Sequence, residues 1–138
     1  QGVLLEGLGT FAVVKEQFHG KDEVYVVRRP IFQLDMEAIY LRGLSFPKVV
    51  IPDHISIKTL DYTWLRRATC IPQHVVEACV QETILLYSFQ LMSGHHLPFT
   101  FKDMGILSCS SGGLCMQFYP DCVTGIEREA GWVALLHT

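Results

Sequence analysis

The fold of this chain is decided by residues 3–14, VLLEGLGTFAVV, in which two apolar runs are joined by a glycine turn. A weaker copy of this plan lies at residues 99–107, FTFKDMGIL. In each copy an apolar strand is followed by a short turn, and a glycine after the turn, Gly9 or Gly105, begins a second strand. Repetition of this kind indicates that one supersecondary unit is used twice. The sequence therefore predicts two copies of one small domain, the first without its beginning.

Composition sets limits on the class of protein. A length of 138 residues is enough for one compact domain or two small ones, and 49% hydrophobic with 18% charged residues gives ample material for a core. The net charge of −3 is not that of a dedicated nucleic-acid binder, which would be strongly basic. No apolar run approaches the roughly 18–20 residues of a membrane span, so no membrane partner is predicted. Without an initiator Met or signal peptide, we expect an internal segment of a longer protein.

Catalytic and metal-binding patterns give little signal. The five cysteines form no C-x-x-C pair, which favours reduced intracellular thiols over a disulfide framework or a zinc site. Cys70 and His74 have the spacing of a nucleophile and base, but we interpret them as a semi-buried thiol and a first-turn histidine. His95 and His96 are neighbours in an extended segment and point apart, so one metal does not take both. We expect no enzyme activity, no catalytic residues, no cofactor and no metal.

The first half of the chain is predicted to be mainly strand. Residues 3–8 and 10–18 form a hairpin, and a second hairpin turns at residues 19–22 and returns to Arg29. Pro30 cannot donate to a sheet ladder, so the strand ends there or lies on an edge. Asp35 is a plausible N-cap for a short helix that stops near Gly43.

The second half begins with a connection and two helices. Residues 45–58 form a linker that we expect to be extended and partly packed, because prolines bracket an apolar stretch. A short helix over 61–68 is capped by Asp61 or by Thr59. Pro72 suits the first turn of a long helix with an apolar stripe. The stripe consists of Val75, Val76, Cys79, Val80, Thr83, Ile84, Leu86, Tyr87 and Leu91. The second copy of the hairpin follows, and residues 126–136 are compatible with a terminal helix.

This order of elements resembles the bacterial HU and integration host factor fold. The stretch Gly7–Phe11, GLGTF, is similar to the Gly-Phe-Gly-Thr-Phe signature of HU proteins, with Leu8 in place of the Phe. The chain more closely resembles the HU-like domains of the coiled-coil domain-containing protein 81 family, over residues 2–123. The stretches that carry this resemblance are Gly7–Phe11, Arg29–Phe32, Val75–Thr83 and Phe99–Gly105.

The resemblance implies an α+β fold with two HU-like units, each of the order helix-helix-β-hairpin-arm-helix. Residues 1–44 are then a partial unit without its N-terminal helices, 45–58 a linker, and 59–138 the second unit. The apolar face of the first sheet is exposed unless another segment covers it. The two units pair within one chain as a pseudo-dimer, or the chain self-associates. Whether the missing helices are deleted or come from another chain stays open.

DNA binding of the HU type needs basic arms and an apolar wedge. The first arm, Lys15 to Arg29, has four cations against three anions and no proline at its tip. The second, between Ser108 and Tyr119, has no Lys or Arg. Such arms release few counterions, while bending a duplex costs about 1–6 kcal/mol. DNA binding is therefore disfavoured. If it occurs, the predicted contacts are Lys15, Lys21, Arg28 and Arg29.

The sequence instead favours a non-enzymatic protein-interaction or scaffold module. The family resemblance implies a cytoplasmic protein associated with the centrosome or another microtubule-based structure, with a coiled coil elsewhere in the full-length chain. Exposed aromatic residues on the arms contribute most to such contacts, unless they pack the arm onto the body. The candidate contact residues are Phe18, Tyr25, Val27, Phe118 and Tyr119. The alternative is a DNA-binding architectural protein of HU type.

Overall fold

The structure is a computed structural model that describes residues 1–126, which form both strands and helices. In chain order they are β1 (Gly2–Leu5), β2 (Gly9–His19), β3 (Val24–Leu34), α1 (Ala38–Leu41), β4 (Ile57–Thr59), α2 (Tyr62–Thr69), α3 (Gln73–Met92), β5 (Phe99–Phe101), β6 (Gly105–Ser110) and β7 (Gly113–Phe118). Residues 120–126 are helical. The remainder of the terminal helix expected over 126–136 lies outside the described residues. The mixed α+β class predicted from the sequence is confirmed.

The strands form two sheets. The N-terminal sheet has four strands in the order β3-β2-β1-β4, and the C-terminal sheet has three in the order β5-β6-β7. Neighbouring strands are antiparallel except β1 and β4, which run parallel. The parallel strand lies beyond β3 and α1 in sequence, so the segment that leads to the helices also completes the first sheet.

The glycine turn between β1 and β2 depends on a close approach of two strands. The Leu8 N–H donates to the Leu5 carbonyl at 3.0 Å, and the Asp35 N–H donates to the Leu8 carbonyl at 2.9 Å. A Cβ at Gly9 would fall far inside van der Waals contact with the carbonyl oxygen of Gln33 on β3. Only glycine fits at this position, because the crowding atom belongs to the backbone.

The turn between β5 and β6 repeats this geometry. The Met104 N–H donates to the Phe101 carbonyl at 3.1 Å, and the Tyr119 N–H donates to the Met104 carbonyl at 2.9 Å. A Cβ at Gly105 would collide with the carbonyl oxygen of Gln117 on β7. The repeat seen in the sequence is thus present as two three-strand motifs with matching hydrogen bonds.

The two sheets share one hydrophobic core. Its buried residues come from both sheets, from α3 and from the region of α1, so the two repeated motifs do not have separate cores. They are Leu8, Phe32, Met36, Leu41, Ile84, Tyr87, Leu91, Leu107 and Leu114. The ring of Phe11 lies 4.7 Å from that of Phe32, 5.0 Å from Phe101 and 6.5 Å from Phe118, measured between centroids. Phe11 therefore joins the two sheets directly.

A segment of the same chain covers the other face of the N-terminal sheet. Ala12, Val14 and Ile31 form a second buried cluster with Ile51, and Val49 and Ile55 pack against it. The connection over 45–58 is therefore partly packed, as predicted. No helix of the described residues is long and apolar enough to cross a membrane.

Several local expectations need correction. Pro30 does not end its strand, because β3 continues to Leu34; the alternative holds, since β3 is an edge strand. Asp35 does not cap α1, which begins at Ala38 after Glu37. Ile57 and Lys58, at the end of the predicted linker, belong to β4.

The helix predictions hold in part. The Trp64 N–H donates to Asp61 Oδ1 at 3.1 Å, which confirms Asp61 as the N-cap of α2. Pro72 lies at the N-cap position of α3 rather than in its first turn. Of the predicted apolar stripe, Val76, Ile84, Tyr87 and Leu91 are buried. Val75, Cys79 and Leu86 are exposed, because α3 packs against the core with only one side.

We expect Gly9→Ala and Gly105→Ala each to lower the free energy of unfolding by about 1–3 kcal/mol, because each Cβ overlaps a backbone carbonyl. Gly125→Ala is the control, since its Cβ meets nothing within 4 Å. That variant should leave stability unchanged or raise it by up to about 1 kcal/mol. Urea denaturation followed by circular dichroism measures all three. Equal stabilities would contradict the role assigned to the two turns.

Ile51→Ala should lower the free energy of unfolding by about 2–5 kcal/mol, because the Ile51 side chain is buried against one face of the N-terminal sheet. Val50, its neighbour, is 71% exposed. Val50→Ala should therefore change stability by less than about 0.5 kcal/mol. Thermal and urea unfolding compare the two variants. If Ile51→Ala loses no more stability than Val50→Ala, residues 49–55 do not stabilise the N-terminal sheet by packing on it.

Candidate functional site

The feature that projects from this core is the outer part of the β2–β3 hairpin, residues 15–28, called the arm below. Each strand has eleven residues. Burial is confined to the base, where Ala12, Val14 and Ile31 lie, and every residue from 17 to 26 is exposed. The tip is closed by a hydrogen bond from the Gly20 N–H to the Glu23 carbonyl at 2.8 Å.

One face of the arm carries aromatic side chains. Phe18 is the cross-strand partner of Tyr25, and Glu16 is the partner of Val27. Because side chains alternate across a strand, all four lie on the face that continues from Ala12. Phe18 is 53% exposed and Tyr25 is 55% exposed. We call Phe18, Tyr25 and Val27 the aromatic face.

The opposite face of the arm carries cations. Lys15 is the cross-strand partner of Arg28, Gln17 of Val26, and His19 of Val24. Two of the four cations predicted as DNA contacts are thus brought together, and Lys21 lies at the tip. Arg29 is separated from them, because it lies on the face of Glu16.

Two of the three acids of the arm, Glu16 and Glu23, are engaged with neighbouring groups. Arg29 Nη2 lies 2.5 Å from Glu16 Oε1, in an ion pair with both side chains partly exposed. The Tyr25 hydroxyl donates to Glu23 Oε2 at 2.5 Å, and this hydrogen bond raises the pKa of Tyr25. Exposed ion pairs contribute little stability, but this one removes Arg29 from the cations available to a phosphate.

The second hairpin is not an arm. Strands β6 and β7 have six residues each. Their tip is fastened to the body, because the Leu114 N–H donates to the Ser45 carbonyl at 2.7 Å and the Ser45 N–H to the Gly112 carbonyl at 3.3 Å. The expectation of a second protruding ribbon was wrong, since the segment after α1 pairs with its turn.

The five predicted partner contacts do not form one surface. Phe18, Tyr25 and Val27 lie together on the aromatic face. Phe118 packs against Phe11 at the junction of the sheets, and its side chain is only partly exposed. Tyr119 follows β7 and is also partly buried. The aromatic face therefore consists of the first three residues alone.

The remaining reactive groups form no site that the described residues support. Cys70 and His74 are both exposed, and Cys70 caps the C-terminal end of α2. Burial raises the pKa of the Cys109 thiol, which disfavours the reactive thiolate. Among the described residues, no group of three or more His, Cys, Asp or Glu side chains is placed to hold a metal ion.

Sequence reasoning missed a second exposed apolar surface, on the outer side of α3. Leu85, Leu86 and Phe89 are each at least 45% exposed. The signal was available, since α3 has apolar residues on nearly every side, which is unusual for a helix that covers a core with one face.

The architecture, a helix pair followed by a glycine-turn three-stranded sheet and a short helix, is that of an HU-like domain. The family model described as CCDC81 eukaryotic HU domain 2 matches residues 56–130, more than half of the chain. The chain therefore belongs to the family of CCDC81-type eukaryotic HU domains. The matched region begins with β4, includes α2 and α3, and continues through β5–β7.

Tyr87 is the polar group in the core with a testable energetic cost. Its hydroxyl is buried and has no hydrogen-bond partner among the described residues, and burial raises its pKa well above the ordinary value. Leaving such a group unpaired is unfavourable, so Tyr87→Phe should raise the free energy of unfolding by about 1 kcal/mol. The measurement is urea denaturation at neutral pH.

The same substitution, Tyr87→Phe, should change how the free energy of unfolding depends on pH in alkaline solution. The unfolded chain releases the Tyr87 proton near pH 10 while the folded chain retains it, so stability falls as pH rises above about 10. In Tyr87→Phe the free energy of unfolding should decrease less steeply as pH rises. A variant less stable than the parent at neutral pH would show that the hydroxyl has a partner.

Proposed function

We propose that this chain is a non-enzymatic protein-interaction module whose contact surface is the aromatic face of the arm. The observation that carries the proposal is the exposure of Phe18 and Tyr25, side by side on a projecting hairpin. Aromatic side chains bury a large area and lose few rotamers, so they dominate the energy of protein interfaces. Neither ring is used by the core of this chain.

The charge of the arm supports a protein over a polyanion as its ligand. Four cations face three anions between Lys15 and Arg29. One cation, Arg29, is paired with Glu16. The second hairpin adds no Lys or Arg and is tied to the body through Ser45. A single, nearly neutral arm neutralises few phosphates and cannot recover the cost of bending a duplex.

The proposed cellular setting rests on the resemblance to the family alone. We propose that the module acts as a scaffold in a cytoplasmic assembly at the centrosome or another microtubule-based structure, in a longer protein with a coiled coil. We also propose that residues 1–44 are a partial HU-like unit and residues 59–138 a second one. The matching turns at Gly9 and Gly105 and the shared core support an intramolecular pseudo-dimer of the two.

A second candidate function is DNA binding through the basic face of the arm. It is favoured by one observation: Lys15 and Arg28 are cross-strand partners, and the described residues show no ion pair to either. With Lys21 at the tip, they would follow a phosphate backbone without bending the duplex.

Fluorescence anisotropy with a duplex of about 20 base pairs at two salt concentrations separates the two functions. We expect no binding at low salt with protein at tens of micromolar. Micromolar binding that weakens steeply with salt and is lost in Lys15→Ala/Arg28→Ala would establish the DNA function and displace the first.

The protein function is tested by proximity labelling in cells with the full-length protein. Phe18→Ser/Tyr25→Ser should reduce the labelling of specific partners at least fivefold, because it removes both exposed rings. The matched control is Lys15→Ser/Arg28→Ser, which changes the same two strands on the opposite face. Partners that survive the aromatic variant and disappear in the control would overturn the assignment of the aromatic face. Microscopy of the same variants reports whether centrosomal localisation depends on it.

A further inference from the structure

The outer edge of β3 has a self-complementary sequence. Residues 22–29 read DEVYVVRR, two acids, four β-forming residues and two cations. In the N-terminal sheet β3 is an edge strand, paired with β2 alone. Val24, Tyr25 and Val26 are 57%, 55% and 39% exposed. Proteins usually block such an edge with a charge, a proline or a bulge, and none stands between Val24 and Val27.

The backbone polarity of this edge follows from the tip of the hairpin. Gly20 and Glu23 are hydrogen-bonded to each other. Hydrogen-bonded and non-hydrogen-bonded pairs alternate along an antiparallel ladder. The N–H and C=O groups of Val24, Val26 and Arg28 are therefore directed away from β2. Pro30 is the next outward position and has no N–H, so the available edge ends there.

We propose that two copies of this chain pair through the outer edges of β3, antiparallel, across a two-fold axis at Val26. In this register Val26 faces Val26 of the second copy, and Tyr25 faces Val27 of the second copy. Glu23 faces Arg29 of the second copy, which also pairs with Glu16 of its own copy. The symmetry makes the Tyr25–Val27 and Glu23–Arg29 contacts twice and the Val26–Val26 contact once. Opposite charges and aromatic–β-branched pairs directly across a ladder are both favourable.

Other arrangements are less favourable. A parallel pairing would set the acidic ends side by side and the basic ends side by side. An antiparallel pairing centred on Tyr25 would set Lys21 opposite Arg29 of the second copy, twice. Like charges directly opposite each other destabilise a ladder. Registers centred on Val24 or Val27 also avoid like-charge pairs but bring no opposite charges together, whereas the Val26 register sets Glu23 opposite Arg29.

The pairing goes beyond the proposed function, because it uses the edge of the arm rather than its face. Its consequence is a four-stranded ribbon in which the two aromatic faces become continuous. Phe18 and Tyr25 of both copies then lie on one side. An interface of a few residues per copy is small, so the dimer is weak and reversible.

Sedimentation equilibrium of the chain over micromolar to millimolar concentration tests the proposal. We expect a monomer–dimer equilibrium that Val26→Lys weakens at least tenfold, because it sets two lysines opposite each other at the two-fold axis. Gln17→Lys is the matched control. Gln17 is the cross-strand partner of Val26, so the same charge appears on the same face but one strand inside the edge. It should leave the dissociation constant unchanged.

Amide hydrogen exchange by NMR gives an independent readout on the unmodified chain. The Val24 and Val26 amides should exchange several-fold more slowly as concentration rises, while the Tyr25 amide, already directed to β2, should not change. Circular dichroism confirms that each variant is folded. A monomer at every concentration would overturn the proposal, as would a dimer that Val26→Lys leaves intact. Phe18→Ser should keep the dimer, so loss of partner labelling in that variant tests the aromatic face separately.

Discussion

The packing of Phe11 against rings from both sheets is the contact on which the other features depend. Phe11 lies on β2 and meets Phe32 on β3, Phe101 on β5 and Phe118 at the end of β7. It therefore anchors the point where β2 leaves the core and becomes the arm. Beyond this base, residues 17–26 of the hairpin are all exposed. The arm is packed at its base and exposed at its tip because the core ends where it does.

The parts of the fold that could be predicted are those governed by local rules. The repeat was visible because a glycine is required wherever a backbone carbonyl approaches to within contact of the Cβ position, at both Gly9 and Gly105. The N-cap of α2 was visible because Asp61 has a short acceptor side chain at the right place. The aromatic face could be anticipated because a two-residue period places Tyr25 and Val27 on one side of a strand.

The parts that could not be predicted are set by distant contacts. Strand β4 has three residues and no pattern of its own, and it exists because β1 offers it a parallel edge. The second hairpin has a turn typical of a free arm, yet Ser45 holds it against the body. Phe118 has the same chemistry as Phe18 and differs only in having Phe11 beside it. In each case the partner is separated by many residues, and periodicity contains no information about it.

The long-range closure of the N-terminal sheet has a consequence for synthesis on the ribosome. Strands β1–β3 are complete once Leu34 has emerged, but Ile51, which covers one face, and β4, which completes the edge, come later. On the other face, Phe11 cannot pack against Phe101 and Phe118 until those residues have been synthesised. During that interval apolar surface of the nascent hairpins lacks these contacts, and they are complete only when Phe118 has been translated. Contacts of such high sequence separation slow folding and prolong the exposure of surface that favours aggregation.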